Sequence, residues 1–404
     1  MTARISTLYF SRYRGFRDQT RIALQRLTLV YGENNAGKSA IVRLPQIIAS
    51  SRVNSQPGLD LRAPVLRRAA FRDIQWRGPL QSGDDADLTL GVKLSSGDSW
   101  RWTLRWIDTR AIAVIQKIAV SDSDGHTSLE LMGTTRDSSY SNVEGQLTAV
   151  ASDGLIPRAG VDPRMDRYRD GLNRALERVS WLGAVREGPI REGTTRGVSG
   201  KLEGEGRAAA SLVLADPELR RRVSEWFHRQ CGASVEAEAL GSELERLVLR
   251  PMAGHDVPFP DAGEGIQQVF PLVVAAECLR SDGGLLIIEE PESHLHPRLQ
   301  RALAELLIEV LAFQTDASVL LETHSEVFLV AALLASAQET PKSVEVGLHW
   351  VESGSDGIAI TEEIAIDAAG RPQNGRLEQA FDTMGVMRRE LILVRRGLER
   401  PRGG

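Results

Sequence analysis

The stretch that decides the fold is Leu27-Thr-Leu-Val-Tyr-Gly-Glu-Asn-Asn-Ala-Gly-Lys-Ser39. Its first half, Leu27–Tyr31, is a nearly continuous apolar run that ends at a glycine, which is typical of a buried parallel strand. The second half matches G-x-x-x-x-G-K-S/T, the pattern of a loop that cradles phosphates. A helix can follow Gly37, although Pro45 is predicted to end or kink it after about two turns. Strand, loop and helix in this order predict an α/β fold with a mainly parallel sheet and a bound nucleotide.

Each residue type in this loop has a chemical reason to be there. Glycines let the backbone wrap so that successive N–H groups face the β-phosphate at a helix N-terminus. We expect Lys38 to bridge the β- and γ-phosphates of ATP and the Ser39 hydroxyl to ligate Mg²⁺. The predicted nucleotide-binding residues are Gly32, Glu33, Asn34, Asn35, Ala36, Gly37, Lys38, Ser39 and Ala40.

Two adjacent acids end a second apolar strand. Glu289 and Glu290 follow Gly284–Ile288, and the carboxyl ends of parallel strands face the ligand crevice. Neighbouring strand residues point to opposite faces, so the two acids are expected to act differently. We assign Glu289 to the Mg²⁺ shell, through water, and Glu290 to orienting or deprotonating the water that attacks the γ-phosphate. The alternative for the pair is a solvated turn without a chemical role.

A histidine ends a third apolar strand. His324 follows Ser318–Leu321 closely, so its ring can hydrogen-bond the γ-phosphate or the attacking water beside the carboxylates. A histidine satisfied by local contacts at a strand end is the alternative. His294 and His296 are spaced like metal ligands, but two histidines on a loop rarely bind zinc without further ligands.

Composition restricts the class of protein. The 404 residues are 42% apolar and 25% charged, which is usual for a globular protein with a sizeable core. No apolar run is long enough to cross a bilayer and the N-terminus lacks a signal pattern, so we expect a cytoplasmic location and no membrane partner. Two cysteines, Cys231 and Cys278, cannot form a disulfide framework, which fits a reducing compartment.

The net charge of −5 argues against a uniformly positive surface but leaves room for local basic sites. Such clusters can contact DNA phosphates, which makes binding dependent on salt. Ion pairs with the acidic residues are the default alternative. The clusters comprise Arg12, Arg14, Arg17, Arg62, Arg67, Arg68, Arg72, Arg220–Arg222, Arg388, Arg389, Arg395 and Arg396.

Leu27–Ser39, Leu286–Pro297 and Thr323–Ser325 together resemble the ABC-type ATPases that have no membrane domain. This branch holds the chromosome-maintenance (SMC), RecF-like and overcoming-lysogenisation (OLD) proteins. The Glu-Glu-Pro-Glu-Ser-His-Leu-His-Pro sequence at 289–297 is typical of the OLD-like subgroup. The resemblance implies a Walker A loop, a Walker B strand with its D-loop, and a switch histidine.

Asp261–Pro271 resembles this subgroup's version of the ABC signature. That element is a glycine turn that feeds a helix N-terminus and donates to the γ-phosphate bound by another protomer; a simple glycine-rich helix cap is the alternative. The resemblance also implies a Q-loop glutamine at the metal, for which Gln75 is the best match, although a surface loop is the alternative there. The signature residues are Gly263, Gly265, Gln267 (in place of a common serine) and Gln268.

Trp181–Arg186 resembles another segment of the subgroup. Arg186 can pair with a phosphate or an acid, or brace the fold; we favour the fold. By resemblance we divide the chain into the N-terminal part of an ATPase core at 1–80, an antiparallel β insertion with a long loop at 81–160, a helical lobe ending in the signature at 161–280, the C-terminal part of the core at 281–345, and strands with a basic tail at 346–404.

The resemblance implies an ATPase that closes as a head-to-head dimer around two ATP–Mg²⁺ and gates a separate effector protein. Many stand-alone members of the branch act in anti-phage defence. No acidic metal cluster follows His324, so we do not expect the nuclease domain of full OLD proteins. The alternatives are a RecF-like DNA-repair ATPase that binds DNA and a nucleotide-dependent scaffold that does not hydrolyse ATP.

Overall fold

The fold rests on helices and strands whose bounds follow the apolar patterns of the sequence. A computed structural model of the chain describes residues 3–53, 58–79, 86–107, 112–123, 125–131, 139–141, 147–149, 152–158, 160, 163–188, 193–194, 202, 204–240, 244–337, 344–367 and 372–373. The helices are α1 (Lys38–Ser50), α2 (Phe71–Ile74), α3 (Pro163–Glu177), α4 (Ala209–Ala215), α5 (Pro217–Cys231), α6 (Glu264–Asp282), α7 (Pro297–Phe313) and α8 (Glu326–Ala337).

The strands fall into a parallel group, an antiparallel group and short pairs. In chain order they are β1 (Ile5–Ser11), β2 (Thr20–Ala23), β3 (Leu27–Gly32), β4 (Leu88–Leu94), β5 (Ser99–Ile107), β6 (Ile112–Ser121), β7 (His126–Leu131), β8 (Ser139–Ser141), β9 (Leu147–Ala149), β10 (Ser152–Asp153), β11 (Ile156–Pro157), β12 (Val179–Leu182), β13 (Gly193–Thr194), β14 (Ala233–Ala239), β15 (Leu244–Pro251), β16 (Val257–Pro258), β17 (Gly284–Glu289), β18 (Ala317–Glu322), β19 (Val346–Ser353) and β20 (Ala359–Glu363).

The central sheet has the order β12-β17-β18-β3-β19-β20. Its neighbours pair in parallel except for β20, which runs antiparallel to β19. All residues of β17 and β18 are buried, as expected for strands covered on both faces. The mainly parallel α/β sheet predicted from the sequence is therefore confirmed, and β3 lies between two strands from the C-terminal part of the chain.

The two faces of this sheet belong to two hydrophobic cores. Leu285 and Ile287 pack in one core with α1, whereas Leu286 and Ile288 pack in the other with α6 and α7. This alternation follows from the period of two residues along a strand. It places odd-numbered residues of β17 on the side of α1, which matters for the acid that ends this strand.

The antiparallel subdomain flanks the α1 side. It has the order β2-β1-β4-β5-β6-β7-β8-β9, so the N-terminal hairpin joins this sheet and not the parallel one. Trp100 and Trp102 of β5 are both fully buried and contribute to the core shared with α1. The antiparallel strands predicted for 81–160 are present, and the described part of that region also contains the short strands β8 to β11.

Two further details differ from the sequence prediction. Helix α1 runs through Pro45 to Ser50 because its apolar residues on both sides of the proline, among them Ile41, Leu44 and Ile48, are fully buried; this packing outweighs the lost hydrogen bond. The signature lobe contains antiparallel pairs of β15 with β13, β14 and β16 beside its helices.

The basic tail from residue 385 lies outside the described residues. Among those described, no helix has the length and apolar character needed to cross a membrane.

Candidate functional site

The loop between β3 and α1 has the backbone of a tight cradle. Gly32 has φ 143°, and a Cβ atom there would lie 2.0 Å from the Val351 carbonyl oxygen. That carbonyl accepts a hydrogen bond of 3.1 Å from the Glu33 N–H. Asn35 and Gly37 also have positive φ, at 62° and 105°, so the chain turns sharply twice before the helix. The loop is therefore shaped on one side by β19.

Lys38 lies inside this cradle. It is 3% exposed, and its Nζ donates to the carbonyl oxygens of Gly32, at 3.1 Å, and Glu33. Burial lowers the pKa of Lys38, while nearby carboxylates, foremost Glu322 and Glu290, oppose that shift. The ammonium group thus occupies the interior of the loop, where phosphate oxygens are the partners predicted for it.

Helix α1 presents two polar side chains to the strand ends, one helical turn apart. Ser39 and Arg43 are separated by four positions, so they lie on the same helix face. Opposite them, Glu289 and Glu322 end the adjacent strands β17 and β18 and are register partners. Each helix residue bonds to one acid: Ser39 to Glu322 and Arg43 to Glu289.

Glu322 is the acid that contacts the phosphate-loop serine. The Ser39 hydroxyl donates to Glu322 Oε1 at 2.7 Å, and the Glu322 residue is 4% exposed. Its second oxygen, Oε2, is buried and has no hydrogen-bond partner within the described part of the chain. Burial raises the pKa of Glu322 to about 7, and the bond from Ser39 opposes the shift. Sequence analysis did not select this residue, although it immediately precedes Thr323 and His324.

Glu289, which the sequence assigned to the Mg²⁺ shell, is bonded to side chains of its own chain. It is 1% exposed and both its oxygens bond to the Arg43 guanidinium. Trp181 Nε1 donates to Oε1 at 2.7 Å, and Arg67 Nη2 lies 3.6 Å from Oε2. The structure thus pairs Glu289 with cations of its own chain, whereas it places Ser39 against Glu322. Glu289 faces α1 because of its odd position along β17.

Glu290 leaves the strand in an unusual conformation. Its φ is 44°, and its N–H donates to the Glu322 carbonyl at 2.8 Å. The side chain is partly exposed, and its Oε2 accepts a bond of 3.1 Å from the Ser293 hydroxyl. A non-glycine residue with positive φ is costly and persists where surrounding bonds hold it. Glu290 and Glu289 therefore point to different environments, as alternation along the strand predicted.

Arg186 supplies those surrounding bonds. It is 3% exposed and donates to the carbonyl oxygens of Gly183 and Glu289, both at 3.0 Å, and of Glu290, at 3.1 Å. Burial lowers the pKa of Arg186 to about 10. The structure thus favours the bracing role among the alternatives for this arginine: it holds the backbone that carries the two acids.

His324 lies at the mouth of the site. Its side chain is solvent-exposed, and its N–H donates to Glu292 Oε1 at 2.6 Å, while the Thr323 hydroxyl donates to Oε2 at 2.8 Å. The rings of Tyr31 and His324 are 6.4 Å apart. The partial burial of the ring first, and then the charge of Lys38, lower the pKa of His324. A neutral imidazole near the loop can donate or accept a proton at a phosphate or water.

The signature segment has the predicted shape of a glycine turn feeding a helix. Gly263 precedes α6, and Gly265 packs against the His294 carbonyl, 3.1 Å from a Cβ placed there. Gln267 Nε2 donates to the carbonyl oxygens of Pro260 and Ala262, at 3.0 and 2.8 Å. Gln268 donates to the Arg186 carbonyl at 2.9 Å. Both glutamine side chains are thus engaged within the chain, which leaves the helix N-terminus as the element suited to an anion.

Gln75, the glutamine predicted at the metal, directly follows α2. Its Nε2 donates to the Ala86 carbonyl, at the start of the antiparallel insertion. Its backbone forms a bridge with Tyr13, whose hydroxyl donates to the Ala40 carbonyl at 3.0 Å. Gln75 is therefore linked to the first turn of α1 through Tyr13, and its side-chain amide bonds to the antiparallel insertion.

The two histidines that follow the acids in the chain, His294 and His296, have local partners. His296 Nδ1 accepts a bond from the Arg298 N–H at the start of α7, and His294 lies 3.4 Å from Glu264. Within the described residues, no group of three or more His, Cys, Asp or Glu side chains could hold a metal ion by itself.

The ion pairs expected as the default for the arginines are present in the helical lobe. Arg221 pairs with Glu218 and Glu225, and Arg222 pairs with Glu277. Arg12 lies over the Trp76 ring, 5.1 Å from its centroid. Arg388, Arg389, Arg395 and Arg396 lie outside the described residues.

Comparison with known proteins gives the same fold. The family model described as "AAA domain, putative AbiEii toxin, Type IV TA system" matches residues 250–331, the segment that holds the signature turn, the acids and His324. The structure is similar to an SMC head domain from Pyrococcus furiosus, solved with the C-terminal domain of ScpA: the TM-score is 0.52, the identity 11%, and the match covers 96% of this chain and 100% of that one.

An SMC head domain from Pyrococcus yayanosii is also similar, with a TM-score of 0.50, 9% identity and coverage of 91% of this chain and 98% of that one. Comparison with curated proteins gives no sequence match. The P-loop α/β fold of an SMC head domain is thus confirmed, and the family model matches a segment of that fold. These similarities do not separate the OLD-like subgroup from its relatives, so that assignment stays a prediction.

Proposed function

We propose that this protein binds ATP at the loop of residues 32–39 and hydrolyses it. The observation that carries the proposal is the meeting of three distant segments at the start of α1. Ser39 bonds to Glu322, Glu290 bonds through its N–H to the Glu322 carbonyl, and the charge of Lys38 lowers the pKa of His324. Phosphoryl transfer depends mainly on such positioned charges.

Each residue has a role in this proposal. Backbone N–H groups of residues 33–39 and the Lys38 ammonium hold the β- and γ-phosphates. Glu290, held by Arg186, orients the attacking water and accepts its proton, while His324 hydrogen-bonds the γ-phosphate. The Ser39 hydroxyl and a strand-end carboxylate fit Mg²⁺, because this ion prefers oxygen ligands and a buried carboxylate oxygen there lacks a partner. Bound Mg²⁺ neutralises charge that develops on the phosphate oxygens.

The output of hydrolysis in this proposal is a change of assembly. Two copies close head to head, each phosphate loop facing the N-terminus of α6 of the partner subunit, and opening follows hydrolysis. The closed form gates a separate effector protein. An SMC head of similar fold was solved bound to part of ScpA, which supports this fold as a partner-binding platform. A role in anti-phage defence rests on the resemblance to OLD-like proteins alone.

Nucleotide titration tests the binding step. Lys38→Ala removes the ammonium group from the cradle, so we expect the affinity for a fluorescent ATP analogue to fall by about tenfold or more. Lys117→Ala is the matched control, because Lys117 lies on β6 and pairs with Glu130. Equal affinities for Lys38→Ala and the wild type would remove the phosphate-loop assignment.

A further inference from the structure

We infer that Glu322, and not Glu289, is the carboxylate that faces the divalent cation at Ser39. The inference rests on the proposed function, since the cation accompanies the bound nucleotide. It reverses the assignment that the order of residues in the sequence suggests. It also gives Arg43 a defined role, because this arginine decides which of the two acids is available.

The first argument is that Glu289 is already saturated. Its two oxygens accept bonds from Nε and Nη2 of Arg43, and Trp181 donates to the same carboxylate. A bidentate guanidinium–carboxylate pair is among the strong charge-assisted contacts in proteins. A cation at Glu289 would have to displace a buried guanidinium or lie against its positive charge, and both are unfavourable.

The second argument is that Glu322 meets the opposite condition. Its Oε1 accepts a bond from the Ser39 hydroxyl, so the acid and the loop serine already share one site. Its Oε2 is buried and has no hydrogen-bond partner in the part of the chain that the structure describes. A buried polar atom without a partner is costly and calls for an explanation, such as an ion. A cation between Ser39 and Glu322 satisfies that oxygen.

The third argument is the geometry of α1 over the strands. Ser39 lies at the beginning of the helix, next to the phosphate loop, and Arg43 lies one turn further from it. Glu322 is therefore the member of the register pair on the phosphate side, and Glu289 is the member below the second helical turn. The phosphates supply the remaining oxygen ligands from the same side as Ser39. The site needs both nucleotide and protein, which agrees with the lack of a three-residue metal cluster among the described residues.

The experiment measures cation binding separately from hydrolysis. Mn²⁺ is titrated into the full-length protein with a slowly hydrolysed ATP analogue, and free Mn²⁺ is followed by electron paramagnetic resonance. Analogue affinity is measured in parallel with EDTA. The variants are Glu322→Gln and Arg43→Gln/Glu289→Gln; the double variant removes both charges of the pair and leaves no buried charge unpaired. Glu305→Gln is the control, an exposed acid that pairs with Arg301 on α7.

We expect Glu322→Gln to keep the metal-free affinity for the analogue and to weaken Mn²⁺ binding by about tenfold or more. The double variant and the control should bind Mn²⁺ as the wild type does. Two results would overturn the inference and leave the proposed function standing. In the first, Glu322→Gln binds Mn²⁺ with wild-type affinity; in the second, the double variant is folded and is the only variant that loses Mn²⁺ binding. A wild-type protein that takes up no analogue, even without metal, would overturn the proposed function and the inference with it.

Discussion

Arg186 shows how a buried side chain can hold the backbone that carries two candidate acids. Its guanidinium bonds three backbone carbonyls, two of which belong to Glu289 and Glu290. The positive φ of Glu290 persists because its own N–H is also fixed, on the Glu322 carbonyl. Arg186 is thus a positioning residue in this structure.

Arg186→Met removes these bonds while keeping most of the side-chain volume. We expect kcat for ATP hydrolysis to fall by about a hundredfold with a small change in KM, since misplacing Glu290 affects the reaction more than binding. Arg186→Lys keeps one donor group, so its kcat should lie between those of Arg186→Met and the wild type. Steady-state kinetics measure the split; a raised KM with unchanged kcat would contradict the positioning role.

Gly32 permits a backbone contact that no other residue allows. Gly32→Ala would place a methyl group 2.0 Å from the Val351 carbonyl oxygen at φ 143°, so we expect a loss of roughly 3 kcal/mol or more in the free energy of unfolding. Gly263→Ala is the control, because Gly263 has φ −58° and open space around a new Cβ. Urea denaturation compares the two; equal stability of both variants would show that the loop adapts.

At the scale of elements, one buried histidine links the parallel sheet to the antiparallel sheet through a hydrogen bond. His349 of β19 lies in the parallel sheet, and its Nε2 is 2.8 Å from the carbonyl oxygen of Ala23 on β2. Because that oxygen can only accept, Nε2 must carry the proton. Burial lowers the pKa of His349, and the bond to Ala23 opposes the shift.

This lowered pKa makes the junction sensitive to acid. The unfolded chain takes up a proton near pH 6.5 while the folded protein does not, so the contribution of His349 is complete above that pH and is lost as the pH falls. His349→Gln should flatten the pH dependence of the unfolding free energy by at most about 1.4 kcal/mol per pH unit below about pH 6.5. Unfolding curves at several pH values test this; parallel profiles for variant and wild type would exclude it.

The elements also show what the sequence could predict. The apolar runs of β3, β17 and β18 and the loop at 32–39 were recognisable because buried strands and glycine turns have strong local patterns. The pairing of β14 with β15 was missed, although Ala233–Ala239 alternates small and polar residues, because alanine gives a weak strand signal.

The partners of the two strand-end acids could be assigned only once the register of β17 with β18 was known. Glu289 and Glu322 are 33 positions apart in the chain, and only the alignment of β17 with β18 makes them neighbours under Ser39 and Arg43. Nothing in the local sequence indicates that an arginine one turn into α1 neutralises one of them. The length of α1 could not be predicted for the same reason. The burial that carries this helix through Pro45 comes from contacts with both sheets, which the local sequence does not show.

At the scale of the whole molecule, the signature turn contacts the segments that hold Glu290. The turn before α6 packs on the segment after Glu290 through Gly265 and His294, and Gln268 reaches the loop of Arg186. When the N-terminus of α6 contacts a second copy, these packing and hydrogen-bond contacts therefore connect it to Glu290 of its own copy. This supports the proposed dependence of hydrolysis on assembly.

Glu290→Gln tests that dependence. The amide keeps the shape of the side chain but cannot accept the proton of the attacking water, so hydrolysis should fall by about a hundredfold or more while ATP remains bound. The variant should then accumulate as a dimer with ATP, measured by size-exclusion chromatography with light scattering. Glu305→Gln serves as the control. Hydrolysis at the wild-type rate, or a monomer under saturating ATP, would contradict the roles given to Glu290 and to assembly.

The position of β3 between β18 and β19 affects how the protein is made. The strand is synthesised before its two neighbours, residues 317–322 and 346–353, and the wall beside Gly32 is Val351. Until β18 and β19 have been synthesised, the loop that follows β3 lacks these supports. Within the proposed function, nucleotide capture by the folding chain therefore follows the synthesis of β19.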